Sequence, residues 1–340
     1  MQIREVTQLT EWEDFVARQE FTPFVQSSKY IHFYKGLGEG GFVVGIYNDS
    51  QTLIGGSVVV TTHAKRGNFL YLPYGPILPQ ENRKEVLQAL MAFLKEYAQK
   101  QGFNFIRVSP FLEETSENIQ LFQNSGFRSA PMHVLAENTW ILNIEESEEA
   151  LLKNMNKNHR NLIRRCEKEG VIIKKTTQLS DLDGLDSLLN ITAKRHGFKR
   201  FSRRYIENEF HSYSPNNAML FEAYLPDGTL DGAAVIMFYG NMAAYRHSAS
   251  LNRNNKIPTS YLLQWEVIKE AKKRGIKWYN FWGIAPDDAP ANHPFVGITH
   301  FKKGFGGFKK DLVHCQDFSV NSMYWLNWLV ETFRRVNRGF

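Results

Sequence analysis

Cysteine is scarce in this chain: only Cys166 and Cys315 occur, far apart and without metal-ligand spacing. That excludes a disulfide framework and a zinc site, and suits a reducing compartment. Long apolar runs are missing as well, since no segment approaches the roughly 18 consecutive apolar residues a membrane span needs. The opening Met1-Gln2-Ile3-Arg4-Glu5-Val6 lacks the apolar core of a signal peptide, so a cytoplasmic protein is expected. No Gly-x-Ser-x-Gly elbow, Walker A loop or His-Glu-x-x-His zinc motif is present, which removes the common hydrolase, nucleotide-triphosphatase and metalloprotease readings. Asp287-Asp288 in a Pro-rich loop reads as a solvated acid pair, and no metal is assigned.

What is present is ordinary for a soluble protein. The 340 residues are 43% hydrophobic and 14% aromatic, enough for two domains of usual size, each with its own core.

The chain contains one unit twice. Phe42 to Tyr47, a turn at Asn48-Asp49-Ser50-Gln51, and Leu53 to Val60 form one hairpin pattern. Leu220 to Leu225, the turn Pro226-Asp227-Gly228-Thr229, and Leu230 to Phe238 repeat it. Val86 to Lys100 then has apolar residues at helical spacing, followed by Gly102 and a strand at Phe103 to Val108. Tyr261 to Arg274, Gly275 and Ile276 to Trp282 follow in the same order, offset by about 180 residues, far beyond solenoid periods. The fold class is α/β (α+β), built from two homologous domains.

Charge is uneven. The net charge is +6, and fourteen Lys and Arg residues fall between Lys153 and Arg204. Leu152, Met155, His159, Leu162, Ile163 and Cys166 predict one apolar helical stripe ending at Gly170. Lys157, Arg160, Arg164 and Lys168 fall on a separate face with no balancing acids, suited either to solvent or to phosphates contacted by charge alone.

The second copy closes with Gly297-Ile298-Thr299-His300-Phe301-Lys302-Lys303-Gly304-Phe305-Gly306-Gly307. Lys302 lies between two aromatics on a Gly-rich turn. Either it is a placed cation, with Phe301 and Phe305 anchoring its backbone, or the aromatics are core and the lysine is solvated. The first copy has no lysine at its corresponding Ser125-Gly126-Phe127.

Several of these stretches resemble the Fem peptidoglycan aminoacyltransferases. Arg160 to Val171 looks like the basic helix opening that family's second domain, and Phe301-Lys302-Lys303-Gly304-Phe305 like its closing Phe-Lys motif. Tyr71-Leu72-Pro73-Tyr74-Gly75-Pro76 is similar to its Tyr-x-Pro-x-Gly-Pro turn, and Gln26-Ser27-Ser28 to its Gln-Ser element. The resemblance covers nearly the whole chain, in order, and is to the compact members without a coiled-coil arm.

The resemblance implies two duplicated acetyltransferase-like (GNAT) domains. The first is expected over 1–143, completed by a C-terminal segment 316–340, and the second over 144–315. The implied activity is transfer of an amino acid from aminoacyl-tRNA, a co-substrate and not a cofactor, to the stem-peptide amine of UDP-MurNAc-pentapeptide or lipid II, forming the interpeptide bridge. No cofactor and a monomer are expected. Lys302 is then the catalytic candidate: aminolysis of an ester passes through an oxyanion, and a cation placed where that charge develops lowers the barrier.

Substrate-binding candidates carried over from the family are Lys35, Arg200, Tyr205, Tyr245, His247 and Phe301. Phe201 stands where the family has an arginine, with Arg200 beside it, and His247 stands at a family tyrosine, with Tyr245 expected two residues away on the same strand face. Lys157, Arg160, Arg164 and Lys168 would contact tRNA phosphates. Ser109 replaces an aspartate, which leaves the ester's own ribose hydroxyl open as proton carrier.

Two other readings stand beside this one. A GNAT fold can take acyl-CoA on an Arg/Gln-x-x-Gly-x-Gly/Ala turn, whose nearest match, Phe301 to Gly306, begins with the wrong residue. A non-catalytic RNA- or membrane-surface-binding protein is the third, because Met323 to Arg335 forms an aromatic amphipathic helix with a basic end, which could touch the inner face of a bilayer or pack on its own domain.

Overall fold

The computed structural model describes residues 1–64, 67–197, 199–253 and 256–338. The chain divides into two compact units, one of Met1–Gln19, Val25–Glu137 and Asp311–Phe340, the other of Glu20–Phe24 and Asn138–Lys310.

The first unit opens with strand β1 (Gln2–Glu5), helices α1 (Leu9–Ala17) and α2 (Lys29–Gly36), then β2 (Gly41–Tyr47), β3 (Leu53–Ala64) and β4 (Gly67–Pro73). Helix α3 (Arg83–Gln101), β5 (Phe105–Ser109), α4 (Ser116–Gln123) and β6 (Arg128–Ser129) follow. The β2–β3 hairpin is antiparallel, as its turn chemistry predicts, and β4 pairs in parallel with β5. The buried stripe of α3 (Val86, Leu87, Leu90, Met91, Leu94 and Ala98) covers one face of the sheet, and each fully buried Leu or Val there contributes roughly 1.5–3 kcal/mol.

The second unit begins with β7 (Asn138–Asn143), α5 (Glu148–Asn154), α6 (Lys157–Lys168) and β8 (Ile172–Thr176). Helices α7 (Leu182–His196) and α8 (Arg203–Tyr213) lead to β9 (Ala218–Tyr224), β10 (Leu230–Tyr239) and β11 (Met242–Ser250). Helix α9 (Thr259–Lys273), β12 (Trp278–Gly283), α10 (Val296–Lys303) and β13 (Phe308–Asp311) complete it. The chain then contributes β14 (Gln316–Ser319) and α11 (Tyr324–Arg338) to the first unit.

Among the described residues each unit has one seven-stranded sheet, ordered β1-β2-β3-β4-β5-β14-β6 in the first and β8-β9-β10-β11-β12-β7-β13 in the second. Position for position the sheets correspond, and the fold is a duplication of one GNAT-like domain. The sixth place is filled differently in sequence. After β6 the chain enters the other sheet as β7, which pairs with β12. The first sheet receives its sixth strand only when β14 pairs with β5 and β6. The division therefore falls before Asn138 and near Asp311, a few residues ahead of the boundaries expected from sequence; residues 339–340 of the expected C-terminal segment lie outside the described residues.

The apolar stripe from Leu152 to Cys166 is not one helix. The chain breaks at Met155, which is extended, and Asn156 caps α6 by accepting from Asn158 N. Arg160 makes the break tolerable: its guanidinium donates to the carbonyls of Leu152, Lys153 and Met155 where α5 ends. Gly170, at φ +79°, stops α6 as expected.

Candidate functional site

Lys302 is buried, at 4% exposure, on the last turn of α10. Phe301, Phe305, Phe281 and Tyr261 hold that turn: Phe301 lies 5.3 Å from Phe305 and 5.0 Å from Tyr261, and Phe305 lies 5.4 Å from Phe281. The aromatics are core, yet the lysine is not solvated; its stem is drawn in with them. Its Nζ donates to the carbonyl of Gly283 and stands 5.9 Å from the Tyr245 ring centre. Among the described residues no carboxylate pairs with it, and burial brings the ammonium's pKa down from 10.5 to about 7.

The carbonyl that holds Lys302 belongs to an irregular strand end. Strand β12 slips register against β7 between Asn280 and Gly283. Trp282 takes φ +66°, a conformation costing a non-glycine residue about 1–3 kcal/mol, while its N–H donates to Asn280 Oδ1 at 2.7 Å. The parallel pair β11–β12 is in register only from Met242–Trp278 to Ala244–Asn280. Beyond that the two strands leave each other, and Lys302 reaches the place where they part.

The first turn of α6 clamps the end of α10. Asn156 N donates to Gly304 O at 2.8 Å, and His159 Nε2 donates to Phe301 O at 2.9 Å. A Cβ on Gly304 would stand 1.9 Å from the His159 ring, so glycine is required there for close approach and not for its dihedrals. Burial lowers the His159 pKa, the carbonyl contact partly opposing it, and Nδ1 is left buried without a partner.

A second cluster lies on the other face of the same sheet. Arg246 is the extra residue of a β-bulge: Val235 pairs with His247 and Ile236 with Tyr245. Neighbours on β10 point to opposite faces, so Tyr245 and His247 do too, contrary to the expectation that they share one. Tyr245 packs with the core beneath α9, and burial raises its pKa. His247 Nε2 meets Glu209 Oε2 at 2.6 Å, and Arg246 Nε donates to both Glu209 oxygens at 3.1 and 3.0 Å. Burial alone would raise the Glu209 pKa, but the charges of Arg246 and His247 pull it down to about 2. Burial lowers that of His247. Arg246 also donates to Tyr205 Oη at 3.2 Å, and Tyr205 stacks on Phe201 with ring centres 4.3 Å apart.

The structure thus places Lys302, Phe301 and Tyr245 together, and Tyr205 with His247 on the opposite face. Arg200 pairs with Asp186 at 2.7 Å. Lys157, Arg164 and Lys168 are exposed on α6, whereas Arg160 is engaged with the end of α5. Lys35 is exposed on the last turn of α2, in the first unit, where Ser109 Oγ accepts from Tyr71 Oη at 3.1 Å. Asp287 is bound by Lys309 at 2.6 Å, and both cysteines are free and buried.

Glu209, Arg246, Trp282 and His159 are the site residues that motif reading passes over. Glu209 had a signal: it sits on the buried stripe of α8 with Ile206, Phe210 and Tyr213, and a carboxylate there demands a cationic partner. The bulge at Arg246 and the backbone of Trp282 left none.

The molecule is a tandem of two GNAT-like units, one of which opens its central parallel strands beside a buried lysine that no carboxylate of the described residues pairs with. Solved structures share the fold: FemX superposes with a TM-score of 0.84 over 97% of this chain and all of that one, at 19% identity. A tandem GNAT protein of the clavulanic acid biosynthesis pathway gives 0.57 over 94% and 98%, at 12% identity. The FemAB family model matches residues 7–231 and 226–331. The lipid II:glycine glycyltransferase of Staphylococcus epidermidis is 22% identical, over 71% of this chain and 74% of its own, and that of Staphylococcus aureus is 22% identical over 74% and 77%. The chain belongs to the FemAB family and is an aminoacyltransferase.

Proposed function

We propose that the protein transfers an amino acid from aminoacyl-tRNA to the stem-peptide amine of a peptidoglycan precursor, lipid II or its nucleotide-linked counterpart, at the cytoplasmic side of the membrane. The observation that carries this reading is Lys302, buried without a carboxylate where β11 and β12 part. The acceptor amine attacks the ester carbonyl, a C–N bond forms, and the C–O bond to the tRNA ribose breaks. The ribose oxygen leaves with the proton the amine gives up, so the reaction balances without an outside reagent. An ammonium in a dry site meets the transient oxyanion far more strongly than it would in water, and it reorganises little because Gly283 already fixes it.

The other groups are assigned by their chemistry and by the family resemblance. Lys157, Arg164 and Lys168 form an exposed cationic row suited to RNA phosphates, and the clamp of His159 and Asn156 ties that helix to the lysine's own. Arg200, Tyr205, Arg246 and His247 are assigned to the acceptor, with Lys35, Tyr245 and Phe301 as further substrate contacts. Glycine is the first amino acid to try, because the staphylococcal relatives are named for it.

The test incubates the protein with a mixture of charged tRNAs and either UDP-MurNAc-pentapeptide or lipid II. A mass gain of one amino acid on the muropeptide is expected. Absence of transfer from every charged tRNA, with turnover of acetyl-CoA on an amine, would replace this reading with an acyl-CoA one.

A further inference from the structure

Helix α11 is turned with its polar side inward. Tyr324 and Asn327 are buried, and Glu331 on the same side takes two hydrogen bonds from the buried Arg107, at 3.2 and 2.7 Å. These positions, spaced three and four residues apart, form one stripe. The opposite stripe is apolar and open: Trp325, Leu326, Leu329, Phe333 and Val336 are 43, 53, 60, 69 and 70% exposed. A helix that merely packs on a soluble domain does the reverse and buries its apolar face. Packing on its own unit, the plainer expectation for this helix, is therefore real but uses the wrong face to account for its sequence.

The charges around the stripe choose its occupant. Glu331 is the one acid in α11, and it faces inward to Arg107. Arg334 and Arg335 follow Phe333 in the chain, and the Arg128 guanidinium lies 4.4 Å over the ring of Trp325. An apolar stripe with a tryptophan at one end, cations beside it and no outward carboxylate complements an anionic lipid surface. A second copy is a poorer match, because a two-fold contact through this stripe brings the same arginines toward themselves. At fifteen residues α11 is suited to lie in the interface, and among the described residues no helix is long and apolar enough to cross a membrane.

We propose that α11 is a docking helix that seats the first unit on anionic bilayers, with Trp325, Leu326, Leu329, Phe333 and Val336 inserted at the acyl boundary and Arg128, Arg334 and Arg335 at the headgroups. This goes beyond the transferase reading and is tested without turnover, so either can fail alone.

The experiment is co-sedimentation of the full-length protein with vesicles of phosphatidylglycerol mixed with phosphatidylcholine, and with phosphatidylcholine alone, alongside light scattering of the free protein. Binding to the anionic vesicles is expected, falling about tenfold or more in the Leu329→Glu/Phe333→Glu variant and about fivefold per charge removed in Arg334→Gln and Arg335→Gln. Thermal melts should stay unchanged, since Leu329 and Phe333 are exposed. The milder Phe333→Ser carries the test should the double variant melt early. Three results would overturn the proposal: no binding of the unaltered protein, equal binding by folded variants, or a stable dimer in solution that these variants split.

Discussion

The two units lay out the same seven strands and differ where their central parallel strands end. In the first, β4 and β5 stay in register over all five pairs from Phe69–Phe105 to Pro73–Ser109, and β3 meets β4 without a bulge. In the second, the pair opens after three, Arg246 bulges from β11, and Trp282 is strained at the end of β12. The helix that follows differs in the same sense. Each unit has an eight-residue helix here, α4 and α10, and their last-but-one residues are Phe122 and Lys302. The first unit buries the phenylalanine beside Leu121. One copy kept a closed sheet and an apolar plug; the other gave up pairing and burial energy for an opening and a cation. The proposed chemistry sits where the duplicated fold departs from its own regularity.

The most damaging way to break this comparison acts on the closed copy. Arg107 donates to Asp317 on β14 at 2.7 and 2.9 Å and to Glu331 on α11, all buried or nearly so. Arg107→Ala leaves a buried carboxylate without its cation and is expected to cost about 3–5 kcal/mol in urea unfolding. A loss near zero would mean that the C-terminal segment is held by packing alone.

Lys302→Met makes the open copy resemble the closed one. Aminoacyl transfer is expected to slow by about 10²–10³-fold, with acceptor affinity nearly unchanged, in single-turnover measurements. Full turnover would remove the lysine from the reaction. The same variant has a stability signature. Because Lys302 titrates near 7 in the folded chain and at 10.5 when unfolded, the unfolded chain binds more protons between those values, and native stability rises with pH across that window. Methionine should therefore stabilise most below about pH 7, and the gain should fade as pH rises toward 10.5. A gain that does not vary with pH would show that the lysine's pKa is not depressed.

A smaller effect sharpens the account of how Lys302 is placed. Gly304→Ala drives a methyl into the His159 ring and is expected to cost about 1–3 kcal/mol and to lower turnover. Adding His159→Ala should return part of the lost stability, since the clash then has no partner. If the double variant is no more stable than Gly304→Ala, the contact is not what positions the turn.

Much of this molecule was legible from its residues. Hairpin turns at Asn48 to Gln51 and Pro226 to Thr229, and helices ended by Gly102 and Gly275, are local signals, and they carried the duplication and the fold class. Lys302 was legible by its aromatic flanks, although its burial was not, because a lysine's stem packs as readily as its head is solvated. The bulge at Arg246 was invisible: a one-residue slip changes the face of every later side chain without changing a letter of the sequence. The break at Met155 was hidden similarly, since the carbonyls it exposes are satisfied by Arg160, a residue whose spacing reads as part of a basic face.

The late arrival of β14 has a consequence during synthesis. A ribosome makes β1 to β6 first, yet that sheet lacks its sixth strand until all of the second unit has emerged. The second unit can close as soon as β13 is out, so the half made later is the half that can finish first. Until then β5 carries an unpaired edge and Arg107 lacks both carboxylates, a state open to strand-edge association. The first sheet is complete only once β14 has been made, and Arg107 gains its two carboxylates only with β14 and α11.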